Sequence, residues 1–290
     1  MALNKEVFRT RALSALVFVA VMLVGLLWNH WSFLVLFSII HFGCWSEYLR
    51  LVEKINGITF HRLVHFGLMM IGFGLMLSFC GRSYSVGGYS LKESICLPVS
   101  LAGFVVLVIG IFSKQHLFTL KSFGAAALGW LYISLSWGMM IGLRQEGMAF
   151  KGDMLLFDFG RVIPLLLILS IWANDTCAYL VGSFIGKTPF SKISPKKTWE
   201  GTAGGAIICV AVMGTLGSWI ITGQPSWSAV YIAIIAAIIG TIGDLLESKI
   251  KRMANVKDSG AMLPGHGGFM DRFDSLLLAT PFVWLLIKML

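Results

Sequence analysis

Charge is scarce in this chain. Of 290 residues only 13% are Asp, Glu, Lys or Arg, where soluble proteins carry about 25%; 57% are hydrophobic, and the mean hydropathy is +0.82. So little charge excludes a water-soluble globular protein, and lipid is the solvent for most of the chain. Cysteine is also sparse: five residues, at 44, 80, 96, 177 and 209, scattered in or beside apolar runs with no CxxC pair. That speaks against a disulfide framework and a thiolate zinc site, although Cys80 and Cys96 do flank a common loop. His30, His41, His61, His65 and His116 read as interfacial or packing residues. Internal repeats are missing too, which argues against a two-halved transporter, whose broken helices recur at matching places.

What is present is a series of apolar runs, approximately 12–28, 32–51, 63–80, 94–112, 124–143, 162–185, 201–222, 227–246 and 270–290. A hydrocarbon core of about 30 Å takes roughly 20 apolar residues per helix, so the pattern predicts an all-α polytopic membrane protein with about nine transmembrane helices. The first run follows Lys5, Arg9 and Arg11 but has no small-x-small cleavage site after it, and it reads as a retained helix. With the N-terminus in the cytoplasm, seventeen of the 23 basic residues fall on inner segments and five on outer ones, which places the C-terminus outside. Most of the net charge of +9 is therefore a mark of orientation rather than of a nucleic-acid polymer as partner.

The acids are distributed differently. Residues 1–150 read as a structural set of helices, with Glu47 near a helix end as their one intramembrane acid. Residues 151–290 read as a catalytic region, with Asp158, Asn174, Asp175, Asp244, Glu247, Asp271 and Asp274 in spans or at their ends. A charge at mid-membrane costs about 2.5–3.5 kcal/mol on the insertion scale, so Asp175 requires a partner. It either faces a water-filled cavity and binds a cation, or pairs with Arg161 or a loop lysine as a packing device. The loop 186–201 that follows carries Lys187, Lys192, Lys196 and Lys197 among Thr188, Ser191, Ser194 and Thr198, a set suited to cradling an anion. Any inner loop collects lysine, so this loop alone speaks equally for phosphate binding and for topology or headgroup contact. Glu200 beside it can simply pair with those lysines.

The last inner segment is more specific. Asp244 and Glu247 share a helix face at three-residue spacing, as do Asp271 and Asp274, so two carboxylate pairs meet one loop. Hard divalent cations such as Mg²⁺ take carboxylate and phosphate oxygens, and basic residues among the acids fit a metal-bridged phosphate site. Between the pairs, Pro264, Gly265, Gly267 and Gly268 let the backbone approach a ligand just before a helix N-terminus, where anions bind favourably. His266 within that cluster either donates to a phosphate or holds the turn. A basic, multi-carboxylate site built on helix ends at the inner face is what joining a soluble nucleotide to a lipid phosphate requires.

The residues Ser248 to Asp274, S-x-I-K-R-x4-K-D-x-G-x2-L-P-x-H-G-G-F-x-D-R-F-D, resemble the signature of phosphatidate cytidylyltransferases (CDP-diacylglycerol synthases). So do Asn174-Asp175-Thr176 with Tyr179, Gly182, Gly186 and Lys187, the run from Ser194 to Gly201, and Gly243-Asp244-Leu245-x-Glu247-Ser248. The likeness covers roughly residues 170–275, and the modest length suggests a bacterial member. It implies CTP (or dCTP) and phosphatidate as substrates, CDP-diacylglycerol and pyrophosphate as products, and Mg²⁺ with room for a second cation. It further implies Asp244 and Asp271 as metal ligands, with Asp175 and Asp274 as secondary ones. Lys257, His266 and Arg272 would act with these acids in catalysis. Asn174, Ser194, Lys196, Lys197, Thr198, Glu200, Lys251, Arg252, Asp258, Gly267 and Gly268 would hold the substrates. The expected location is the cytoplasmic (inner) membrane with the site facing the cytoplasm. A homodimer fits the glycine-rich spans, although Gly201, Gly204 and Gly205 serve packing within one subunit equally well. A nucleotide-dependent lipid kinase and an ion transporter are the rival readings.

Overall fold

The protein is described by a computed structural model covering residues 5–113, 119–146, 159–191, 193–222, 226–262 and 267–290. Among the described residues, nine long helical segments fall on the nine apolar runs. They are α1 (Lys5–Leu27), α2 (His30–Asn56) and α3 (Arg62–Leu77); the short α4 (Leu91–Ser94) leading into α5 (Cys96–Phe112); and a composite of α6 (Leu120–Gly129), a π-helical stretch (Trp130–Leu135) and α7 (Ser136–Glu146). Then come α8 (Phe159–Ile185), α9 (Trp199–Thr222), α10 (Trp227–Met253) and α11 (Met270–Met289).

Six of the segments are long and apolar enough to cross a membrane: His30–Asn56, Leu91–Phe112, Leu120–Gln145, Gly160–Ile185, Trp199–Ile220 and Trp227–Met253. The apolar helices Ser14–Leu27 and Arg62–Leu77 are shorter, and α11 carries Asp271, Arg272 and Asp274 in its opening turns. The chain is thus an all-α polytopic membrane protein. The one departure among the described residues is a hairpin of two-residue strands, β1 (Ser85–Val86) and β2 (Tyr89–Ser90), turned by Gly87 and Gly88 at positive φ.

Helix ends follow local chemistry. Asn29 caps α2, accepting from the Ser32 amide at 2.7 Å while the Ser32 hydroxyl accepts from the Asn29 amide, and Gly57 ends the helix in the left-handed region. Both α2 and α10 run past their apolar stretches, to Asn56 and Met253. Their added turns hold Lys54, and Lys251 with Arg252, cations that complement the carbonyl end of a helix.

The chain folds as two compact units. The first comprises residues up to Ile141 together with Met253–Arg272. Its interior holds Phe33, Phe37, Trp45, Leu68, Met76 and Trp137, all buried. The ring of Phe37 lies 4.6 Å from Phe33 and 5.1 Å from Trp137. The π-helical stretch turns the Ser134 hydroxyl inward, where it accepts from the Trp45 indole at 2.8 Å and lies 3.0 Å from His41 Nε2. Helix α3 packs along α5, and the outer face of α5 shows Leu97, Leu101, Phe104, Val105, Ile109 and Phe112, each more than half exposed. An unbroken apolar face of that kind is suited to lipid and not to water.

The second unit comprises Gly142–Arg252 and Phe273–Leu290. Its main contact is α8 on α9, at a separation only small residues allow. A Cβ at Gly205 would lie 2.6 Å from the Ala178 backbone nitrogen, and one at Gly201 2.8 Å from Gly182 Cα. These glycines are therefore occupied within the chain. All five cysteines are free.

Filling the α8–α9 contact should be costly where filling open space is not. Gly205→Leu is expected to destabilise the fold by about 1–3 kcal/mol or more. Gly124→Ala, on α6 with nothing within 4 Å of the new carbon, should leave it unchanged or up to about 1 kcal/mol more stable. Thermal unfolding in detergent reads both, and equal midpoints for the two variants would contradict this packing.

Candidate active site

Three separate stretches of sequence meet in the second unit around a pocket of about 390 Å³. Helix α8 contributes Asn174, Asp175, Ala178, Tyr179 and Gly182; the α8–α9 loop contributes Ser194, Lys196, Lys197 and Thr198; α10 contributes Thr241 and Asp244. Seven residues singled out in the sequence, Asn174, Asp175, Ser194, Lys196, Lys197, Thr198 and Asp244, thus line one cavity. The α8–α9 glycine contact is what brings them there, since it holds the end of one helix and the start of the next side by side. Asn174 is buried and its side-chain amide lies 3.4 Å from Thr241 Oγ1, whose own hydroxyl donates to the Ala237 carbonyl at 2.7 Å.

The loop has a defined shape. Pro189 and Thr198 form an antiparallel bridge, the Phe190 amide donates to the Lys197 carbonyl at 2.7 Å, and the Trp199 amide donates to the Thr188 carbonyl at 2.9 Å. The Phe190 and Trp199 rings meet edge to face at 4.4 Å. Glu200, in the first turn of α9, closes the hairpin. Its carboxylate accepts from the amides of Lys187 and Thr188 at 3.2 Å and from the Thr188 hydroxyl at 2.8 Å. It binds the loop backbone, where the sequence suggested lysine or substrate. The ammonium of Lys197 instead pairs with the Asp244 carboxylate.

Asp244, Glu247 and Asp274 each offer a carboxylate oxygen, all within 4.8 Å of one another. Three-residue spacing on α10 supplies the first two, and the second turn of α11 supplies Asp274. Lys251, one turn beyond Glu247 on α10, pairs with its fully buried carboxylate. The Ser275 amide donates to Asp274 Oδ1 at 2.6 Å. Three carboxylate oxygens close enough to share one ion, with lysines beside them, fit a hard divalent cation. Glu247 belongs to this group by geometry, as its three-residue spacing from Asp244 indicated, although the ligands implied by the family resemblance did not include it.

Asp271 lies in the first unit, in the first turn of α11. Its Oδ2 accepts from the Ser259 amide at 2.9 Å and the Gly268 amide at 2.7 Å, with the Ser259 hydroxyl at 2.9 Å. Gly267, at φ 78°, lets the chain turn here and accepts from the Met262 amide at 3.0 Å. The Gly268 amide is thus turned to Asp271. Lys257, Asp258, Arg252 and Arg272 are exposed. Residues 263–266, and with them His266, lie outside the described residues, as does Asp158. The acid that sequence reasoning passed over is Glu47 on α2. It is buried and accepts from the Phe269 and Met270 amides, both at 2.9 Å, and from the Ser259 hydroxyl at 2.6 Å. The signal was there: a lone intramembrane acid is functional by default.

Residues 9–290 match the model of the cytidylyltransferase family. The chain is 30% identical over 289 residues to the phosphatidate cytidylyltransferase of Bacillus subtilis, covering 98% of both proteins. It is 34% identical over 204 residues to that of Staphylococcus saprophyticus, covering 70% of this chain and 71% of that one. To the enzyme of the same name from Helicobacter pylori strain 26695 it is 41% identical over 126 residues, 42% of this chain and 46% of the relative. With a match across nearly its whole length, the chain belongs to the cytidylyltransferase family.

Proposed function

We infer that this chain transfers the cytidylyl group of CTP to phosphatidate, releasing pyrophosphate and leaving CDP-diacylglycerol in the membrane. The observation that carries this reading is the convergence of the Asn174-Asp175 pair, the Ser194–Thr198 loop and Asp244 on one pocket, in a member of this family. A phosphatidate oxygen attacks the α-phosphorus of CTP, and the bond to the β-phosphate oxygen breaks in line. Little covalent work falls to the protein; positioning and neutralisation of charge do most of it. A phosphate monoester has a second pKa near 6, so phosphatidate is largely dianionic at neutral pH and needs no dedicated base.

In this reading Lys196 and Lys197, with the hydroxyls of Ser194 and Thr198, hold the triphosphate. Lys251, Arg252, Lys257, His266 and Arg272 serve the two phosphates, with Asp258 and the backbone at Gly267 and Gly268 beside them. Asp244, Glu247 and Asp274 would hold Mg²⁺, with Asp271 as a further ligand and Asp175 as a secondary one. When bound, that ion neutralises charge on the attacking and leaving oxygens. Lys197 and Asp244, paired here, would part as the anionic nucleotide and the cation arrive. The helices cross the inner membrane nine times, N-terminus inside, so that the pocket opens to cytoplasmic CTP.

Purified protein in detergent with Mg²⁺, phosphatidate and CTP labelled at the α or the γ phosphorus tests the reaction. The α label should enter lipid as pyrophosphate is released; γ label in lipid would make the protein a kinase, and no label in lipid would remove the transfer altogether. Chelation with EDTA should abolish turnover, and Mg²⁺ should restore it. Asp244→Asn and Asp271→Asn should each lower turnover about 10²–10³-fold with the protein still inserted, and near-wild-type rates at saturating Mg²⁺ would exclude the residue concerned.

Glu200→Gln keeps the shape but replaces one acceptor oxygen by a donor. With hydrogen bonds to a charged group contributing about 1.5–3 kcal/mol, the loop should loosen and the KM for CTP should rise about tenfold or more, with a smaller change in kcat. An unchanged KM would mean that the hairpin does not shape the nucleotide pocket.

A further inference from the structure

We propose that Glu47, on α2, is a positioning residue for the transfer reaction: its carboxylate holds the Ser259–Asp271 loop in the form in which Asp271 meets the cation. The proposal rests on the reading of Asp271 as a metal ligand and adds a residue from the N-terminal helices, which the sequence marked as structural.

At the start of α11 an N-cap side chain at 269 would serve the second and third amides of the helix and would leave those of Phe269 and Met270 to be met from elsewhere. Glu47, 222 residues earlier, meets both, with Oε1 on the Phe269 amide and Oε2 on the Met270 amide, both at 2.9 Å. Oε2 also takes the Ser259 hydroxyl at 2.6 Å, and that hydroxyl lies 2.9 Å from Asp271 Oδ2. A serine hydroxyl has one proton, so it serves one carboxylate at a time and links the two acids directly. Asp271 Oδ2 is further held by the amides of Ser259 and Gly268. The direction of the Asp271 carboxylate is thus set by a loop that Glu47 grips at both ends, at Ser259 and at Phe269–Met270.

The same carboxylate explains two glycines. A side chain at Gly260 or at Gly268 would fall on Glu47, so these motif positions are bare because the carboxylate lies there. The positive end of α11 favours a negative group at this place, and Glu47 is buried with both oxygens engaged. A serine at 269 would serve the second and third amides of the helix and not these two. A carboxylate brought from α2 that also grips Ser259 does more, because it fixes the residue that touches Asp271.

The full-length protein in detergent allows the test, with Glu47→Gln, the milder Ser259→Ala, and Asp271→Asn for comparison. Glu47→Gln presents a donor where one amide needs an acceptor; Ser259→Ala removes only the hydroxyl link. Mn²⁺ binding followed by electron paramagnetic resonance without nucleotide, the Mg²⁺ dependence of cytidylyl transfer, and the thermal midpoint are measured together. Loss of an outer partner of a metal ligand typically costs about 10–100-fold in metal affinity or activity. Glu47→Gln should accordingly weaken Mn²⁺ binding and raise the Mg²⁺ needed for half-maximal rate by about tenfold, with the KM for phosphatidate unchanged. Ser259→Ala should shift both in the same direction by less. Wild-type Mn²⁺ affinity and Mg²⁺ dependence in folded Glu47→Gln overturn the proposal, as does activity lost only in proportion to folded protein. If Glu47→Gln does not fold, an unshifted Ser259→Ala overturns it. An Asp271→Asn variant with wild-type Mn²⁺ affinity removes the underlying assignment of Asp271; a defect there beside an unaffected Glu47→Gln removes the positioning role alone.

Discussion

A carboxylate carried on a helix that runs through lipid has to be met by donors or cations, and this requirement organises the protein. Leaving such a group unanswered costs several kcal/mol. Glu47 is met by two amides and a hydroxyl, Asp244 by Lys197, and Glu247 by Lys251. Each answer comes from a specific loop or helix turn, so each acid fixes the conformation of the segment that answers it. The loops of this chain are consequently shaped by the acids they serve.

That bears on how a chain made mainly of apolar helices builds a pocket lined by charged and polar side chains. One substrate is dissolved in water and the other in the bilayer, so the reacting phosphates can meet only at the boundary, where helix ends lie. Helix ends also supply unpaired amides and turns of mixed charge. The α8–α9 contact does the coarse placement. With Gly201 and Gly205 against Gly182 and Ala178, the two helices approach so closely that the hairpin between them folds back beside Asn174 and Asp175. Glu200 then makes the finer adjustment by drawing the Lys187 and Thr188 amides to the start of α9.

Regularities that repeat along the chain were readable before folding. Among the described residues the nine apolar runs carry nine helical segments because a run of about twenty apolar residues in lipid has few alternatives to a helix. Their ends were less readable: α10 continues past its apolar run, to Met253, because Lys249, Lys251 and Arg252 suit a helix end as well as they suit a loop. Of the motif residues that line the pocket, Asp175 and the lysine loop stood out by their chemistry, and their substrate-holding role came from the resemblance to the family. Roles that depend on distant contacts were not readable. Glu47 meets a loop 212 to 223 residues away, and no spacing rule reaches that far. Gly268 looked like room for a phosphate and is in large part room for Glu47. Glu200 looked like a partner for lysine, but two amides were nearer.

The acids also divide by the company they keep, and that division bears on mechanism. Glu47 and Glu200 have their oxygens filled by backbone amides and hydroxyls, partners that cannot leave without unfolding a turn. Asp244, Glu247 and Asp274 crowd one another within 4.8 Å, and the first two pair with lysine side chains, partners that exchange readily for a cation because the stems are flexible. The first kind suits holding shape and the second suits binding an ion. Asp271 is of the first kind, with Oδ2 gripped by two amides and a hydroxyl. A carboxylate held in this way keeps its direction, and a group that needs no reorganisation is the form most useful to electrostatic stabilisation. In the proposed reading the hydrogen bonds to Asp271 Oδ2 would therefore prepare the carboxylate for a cation rather than compete with it.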